Sequence, residues 1–142
     1  MKSKILILCI VLLLTAYGIK PEKAWDGYLS SNEHFDEEGF KDFTDYCEYR
    51  YKDDQLSIND NDYHKVTKKD IGELKDYIFN FTSWIQLKDK YKEWYHFDKQ
   101  KIDTNDYYIL IKNEDMSDKY HIYTIYYFDT DDYTLYYFHN KS

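Results

Sequence analysis

Between Lys119 and His139 nearly every position outside one short turn is aromatic or β-branched, and this doubled pattern constrains the fold more than any other feature. A strand that faces water on one side alternates apolar with polar residues. Here, sorting by parity leaves rings on both sides. The polar run Asp129-Thr130-Asp131-Asp132 divides the stretch into two strands, residues 119–128 and 133–139. A symmetric hairpin about that run pairs Phe128 with Tyr133, Tyr126 with Leu135 and Thr124 with Tyr137 on one face. The opposite face then carries Tyr123, Ile125, Tyr127, Tyr136 and Phe138. One face must cover the helices, which leaves the other partly exposed or covered by the N-terminal region.

Upstream, the spacing of apolar residues changes. Ile71, Leu74, Ile78, Phe81 and Ile85 mark one face of a helix over four turns, flanked by Trp84. Thr67 stands at its cap with Asp70 three residues on, close to a capping box, and the helix is expected to end near residues 87–90. An earlier helix is expected from about Asp36, where Asp36, Glu37 and Glu38 suit the positive end of the helix dipole. Phe40, Phe43, Cys47 and Tyr51 follow at spacings of three and four. Residues 53–66, centred on Asn59-Asp60-Asn61-Asp62, read as a loop. Residues 93–97 and 107–112 read as further strands. The expected class is therefore α+β: two helices packed on one face of a three- to four-stranded antiparallel meander. In order of elements alone this outline resembles cystatin-like and cone-shaped NTF2-like folds.

The N-terminus adds an address. Lys2 and Lys4 precede an unbroken apolar run from Ile5 to Leu14, and Ala16 and Gly18 place small residues where a signal peptidase cuts. Residues 1–18 are expected to be a signal peptide, 19–33 a spacer and 34–142 a single domain. An uncleaved anchor is the alternative. Its fifteen or so apolar residues would reach about 22 Å at 1.5 Å per residue, short of the roughly 30 Å hydrocarbon core. Pro21 and the charges around it stop any extension. Lipid attachment at Cys9 fits poorly, because Leu8 is not small. Loss of Cys9 with the signal leaves Cys47 alone, on an apolar stripe and without an internal disulfide partner.

The formal net charge is −8, and removal of Lys2 and Lys4 makes it two units more negative. Such a chain is repelled by nucleic acid and by anionic membranes, and is attracted to basic proteins. Eighteen tyrosines beside one arginine, one proline and two alanines match the codons of an AT-rich genome, so the abundance of rings is partly a coding habit.

Motifs that carry chemistry are few. The two acidic runs offer alternating oxygen ligands, but an EF-hand loop needs Gly at its sixth position and Glu at its twelfth. The first run has Thr134 and Asn140 there, the second His64 and Asp70. His34, His64, His96, His121 and His139 show no zinc-ligand spacing, and only folding could join a pair such as His121 and His139 across two strands. There is no nucleophile elbow, and four glycines make no phosphate loop. No catalytic residue, metal or cofactor is assigned. The leading expectation is an exported, non-enzymatic domain that binds a basic protein, as an inhibitor or immunity-like factor would. Tyr123, Tyr127, Tyr136 and Phe138 are its candidate contact residues. Two alternatives remain: a small hydrolase or isomerase with a site between sheet and helices, and a structural accessory domain held to the membrane only by an uncleaved N-terminus.

Overall fold

The computed structural model describes residues 21–35, 42–52, 62–114 and 117–142. The signal segment, the start of the expected first helix at 36–41 and most of the Asn59-Asp62 loop lie outside these residues. Six strands form one antiparallel sheet: β1 (Ser30–His34), β2 (Phe43–Arg50), β3 (His64–Lys65), β4 (Tyr107–Lys112), β5 (Ile122–Asp129) and β6 (Thr134–Lys141). Their order is β1-β2-β6-β5-β4-β3, with β6 inserted between β2 and β5. One α-helix, α1 (Lys68–Gln86), joins β3 to β4. The expectation of two helices on a three- to four-stranded meander is therefore corrected. The described chain is mostly sheet, with a single helix.

The reason lies in residues 43–50. A spacing of four, as in Phe43, Cys47 and Tyr51, is nearly one helical turn, but it is also twice the strand period. Tyr46 and Tyr49, which a helix would have turned away from that stripe, are both buried. Buried residues on both parities belong to a strand in the interior of a sheet, and β2 lies between β1 and β6. The expected strand at 93–97 is also corrected. A 3-10 turn at Asp89–Tyr91 leads into irregular backbone there. Trp94, Tyr95 and Phe97 all pack against one core instead of alternating.

Helix α1 forms as its stripe requires. Leu74, Tyr77, Ile78, Phe81 and Ile85 are buried, and the Asp70 carboxylate accepts the backbone N–H of Thr67 at 2.8 Å and its hydroxyl at 2.7 Å. The stripe covers one sheet face, packing on Tyr46, Tyr123, Ile125, Tyr127, Tyr136 and Phe138. The 91–97 segment extends this layer toward β1, where Trp94 stacks on His34 at 3.8 Å between ring centroids and 3° between planes.

The other face carries Cys47, Tyr49, Tyr51, Ile109, Tyr126, Phe128 and Leu135, and it too is covered. Trp25 stacks on Tyr63 at 4.7 Å and meets Tyr51 and Phe128 edge-on. Tyr51 donates its hydroxyl to the Trp25 carbonyl at 2.9 Å, and Tyr63 donates to the Lys23 carbonyl at 3.0 Å. The doubled aromatic pattern is thus a sheet roofed on both sides, by α1 on one and by the segment around Trp25 on the other.

In the β5–β6 hairpin the two faces divide the residues as expected, but the register differs. Phe128 pairs with Leu135 and Tyr126 with Tyr137. Asp129 joins the ladder opposite Thr134, its carboxylate accepts the Asp131 N–H at 2.9 Å, and Tyr133 enters the left-handed region at φ 52°. The loop therefore runs one residue later than symmetry about the acidic run suggests. A slip of two in pairing preserves the faces, because side-chain direction repeats every second residue.

Candidate functional site

On the helix-side face, α1 and the 91–97 segment leave the corner over β1, β2 and β6 uncovered. A cavity of about 240 Å³ opens there. Ser30, Ser31 and Asn32 of β1, Glu48 and Arg50 of β2, and Thr134 and Tyr136 of β6 line it. The strand register explains the grouping. Asn32 is opposite Glu48, which is opposite Tyr136, while Ser30 is opposite Arg50, which is opposite Thr134. Two adjacent rows of one sheet face thus place a carboxylate and a guanidinium side by side, with short hydroxyl and amide side chains toward the sheet edge.

Glu48 is held in position. Tyr46, two residues earlier on the same face, donates its hydroxyl to Glu48 Oε1 at 2.6 Å. Burial, reinforced by the Glu48 charge, pushes the Tyr46 phenol well above its ordinary range, so Tyr46 remains a donor. Burial also raises the Tyr136 phenol at the cavity wall. Nearby, His34 Nε2 lies 2.6 Å from Asn32 Oδ1. Burial lowers the His34 imidazole below its usual value, and the Glu48 charge opposes that shift. The corner therefore presents a carboxylate held by a phenol, a guanidinium beside it, several hydroxyl and amide groups and, nearby, an imidazole that burial makes harder to protonate.

The four expected contact residues lie on the face beneath α1, and one of them, Tyr136, lines the cavity. Tyr123, Tyr127 and Phe138 are at most 1% exposed and Tyr136 is 7% exposed, all on the face beneath α1. Tyr123 donates to the Tyr77 carbonyl and to Asn80 Oδ1, and Tyr127 donates to the Asp106 carboxylate. Phe138 is in ring contact with Phe81 and Phe97. Their apolar area is spent on the core, and only Tyr136 borders the cavity. Glu48 and Arg50 carried no motif in the sequence, and in the expected helix they fell outside the apolar stripe. One signal was available: Arg50 is the only arginine in the chain.

Among the described residues, other chemically active groups are engaged away from this corner. Cys47 is fully buried, and burial pushes its thiol up to about 12. His139 Nδ1 lies 2.7 Å from the Thr124 hydroxyl, and His121 lies outside the strands. Asp106 and Asp129 are buried beside the β5–β6 turn, where burial raises both carboxyls. Lys101 Nζ stands 3.9 Å from Asp129 and 3.5 Å from Asp132. Among the described residues no group of three or more His, Cys, Asp or Glu has the arrangement to hold a metal ion. None of the described helices is long and apolar enough to cross a membrane.

No protein-family model, curated protein or solved structure matches the chain at a significant level.

Proposed function

We propose that this is an exported, non-enzymatic binding domain whose partner is a basic polypeptide and whose contact surface is the corner cavity. The observation that carries this reading is the Glu48 carboxylate, fixed by Tyr46 in a solvent-open polar cavity. A carboxylate ordered before binding loses little freedom when it meets a cation, and a charge-assisted hydrogen bond is about twice as strong as a neutral one. The net charge of −8 favours approach of a basic partner from a distance. Arg50 beside Glu48 adds selectivity, because it rejects a second cation placed over the adjacent row. Trp94, stacked on His34 near the cavity, offers an intrinsic fluorescence reporter.

The test uses short synthetic peptides of equal length that are basic, neutral or acidic, titrated into the full chain by calorimetry at two salt concentrations. The basic peptides should bind, more weakly at high salt, and Glu48→Gln should weaken them by about tenfold, one charge-assisted hydrogen bond. Equal binding of all three charge classes, or no effect of Glu48→Gln, would sink the reading.

One observation favours the hydrolase or isomerase alternative: Glu48, Arg50, Tyr136, and the His34–Asn32 pair near them, form the kind of convergent polar set an acid–base site needs. That reading requires Glu48→Gln to abolish turnover of a small substrate while leaving its binding intact.

A further inference from the structure

β1 is an edge strand: among the described residues its one neighbour in the sheet is β2. Its five residues, Ser30–His34, include no proline and no lysine, two of the devices that natural edges use against pairing. Edge strands present backbone N–H and C=O groups at alternate residues, which is the template for strand addition. The polar cavity adjoins this edge, and the residues between them are short.

We infer that β1 accepts an extended segment of the basic partner as an added strand, with a lysine or arginine of that segment reaching over Ser30 and Asn32 to Glu48. This rests on the binding reading above and names the form in which the partner is recognised.

Geometry and charge favour such an occupant. An added strand continues the row Asn32, Glu48, Tyr136 by one position outward. Strands lie about 4.8 Å apart, so its backbone runs about 10 Å from that of β2. An extended lysine or arginine meeting a glutamate side chain covers that span. A bulky residue at position 30 or 32 would block the path, and the chain has serine and asparagine there. The opposite face of the same edge carries Glu33, so both faces of the added strand meet a carboxylate. Against these two acids stands Arg50, in the row of Ser30 near one end of the strand.

The test uses the full chain and a synthetic peptide alternating lysine and valine, made in three forms: unmodified, N-methylated at the odd positions, and N-methylated at the even positions. In a strand, alternate N–H groups point to opposite sides, so one methylated set faces β1 and the other faces water. The expected result is that one set loses at least about tenfold in affinity, as loss of several backbone hydrogen bonds requires, while the other binds like the parent. The amide protons of Ser30–His34 that face away from β2 should at the same time gain protection from exchange. If the parent binds in a Glu48-dependent manner but both methylated peptides bind equally well, or both fail, strand addition is wrong and the binding reading survives. If no basic peptide binds in a Glu48-dependent manner, both fall. Sedimentation showing the chain paired with itself, with the amides of Ser30–His34 that face away from β2 protected before any peptide is added, would assign the edge to a second copy and overturn the inference.

Discussion

Asp106 shows how single side chains hold this fold where the sheet cannot. It is 2% exposed, yet it carries a carboxylate. Its Oδ1 accepts the Thr130 N–H at 2.9 Å and the Thr130 hydroxyl at 3.0 Å, and its Oδ2 accepts the Tyr127 hydroxyl. These bonds tie the segment before β4 to the β5–β6 turn. Burial raises the Asp106 carboxyl, and the Tyr127 and Thr130 donors work against that rise. Replacing Asp106 with alanine strands the buried Tyr127 hydroxyl and removes the acceptor that ties the half-buried Thr130 to this segment. The expected loss is about 3 kcal/mol, at the upper end for buried donors left unpaired. Urea denaturation should show it, and Tyr127→Phe in the Asp106→Ala background should recover part of the loss by removing one orphan. Recovery of nothing would mean that the Tyr127 hydroxyl has found another partner.

Among the elements, the roof over the second sheet face is the most exposed to a simple test. Trp25 contacts Tyr51, Tyr63 and Phe128 and belongs to no strand or helix. Trp25→Ala should cost about 3 kcal/mol, the low end for a large aromatic truncated in a core. It should also raise binding of an apolar dye, because Tyr126 and Phe128 lose cover. Dye binding unchanged from the parent would show that this face is covered without Trp25. That both faces carry rings could be read from the sequence at 119–139, with the second face either partly exposed or covered by the N-terminal region. The choice between these could not be made, since the region around Trp25 has no periodicity and reads as a spacer. Helix α1 was legible because its five-residue stripe fits only a period near 3.6. β2 was misread because Phe43, Cys47 and Tyr51 fit both periods, and that error hid the candidate site. Glu48 and Arg50 look like solvated helix residues until β2 becomes a strand and Asn32 and Tyr136 come in on either side. Glu48 is otherwise one acid among 27.

Across the whole molecule, the two half-buried histidines of the sheet, His34 and His139, should make stability depend on pH. Burial lowers both His34 and His139 below the ordinary histidine value, despite Glu48 near the first and a backbone hydrogen bond at Tyr123 near the second. His139 faces the ring of Phe43, the ring of Tyr137, the Thr124 hydroxyl and the charge of Lys141, with Asp45 opposite it on β2. A lowered folded value means that the unfolded chain takes up the proton first as pH falls. The stabilisation is thus present above about pH 6.5 and is lost as pH falls toward the folded value. Asp106 and Asp129 act in the opposite sense. Their raised carboxyls add stability below the ordinary aspartate value and lose it as pH rises through the folded one. A comparison of wild type with His139→Gln cancels the aspartate contribution common to both. Between pH 7.5 and 5.5 the wild type should therefore lose more stability in urea than His139→Gln does, and His34→Gln combined with it should flatten the curve further. A variant that tracks the wild type across this interval would mean that His139 is as easily protonated folded as unfolded. The histidines lie on opposite faces of one sheet, His34 under Trp94 and His139 beside Phe43. Their effects should therefore add, since they share no partner.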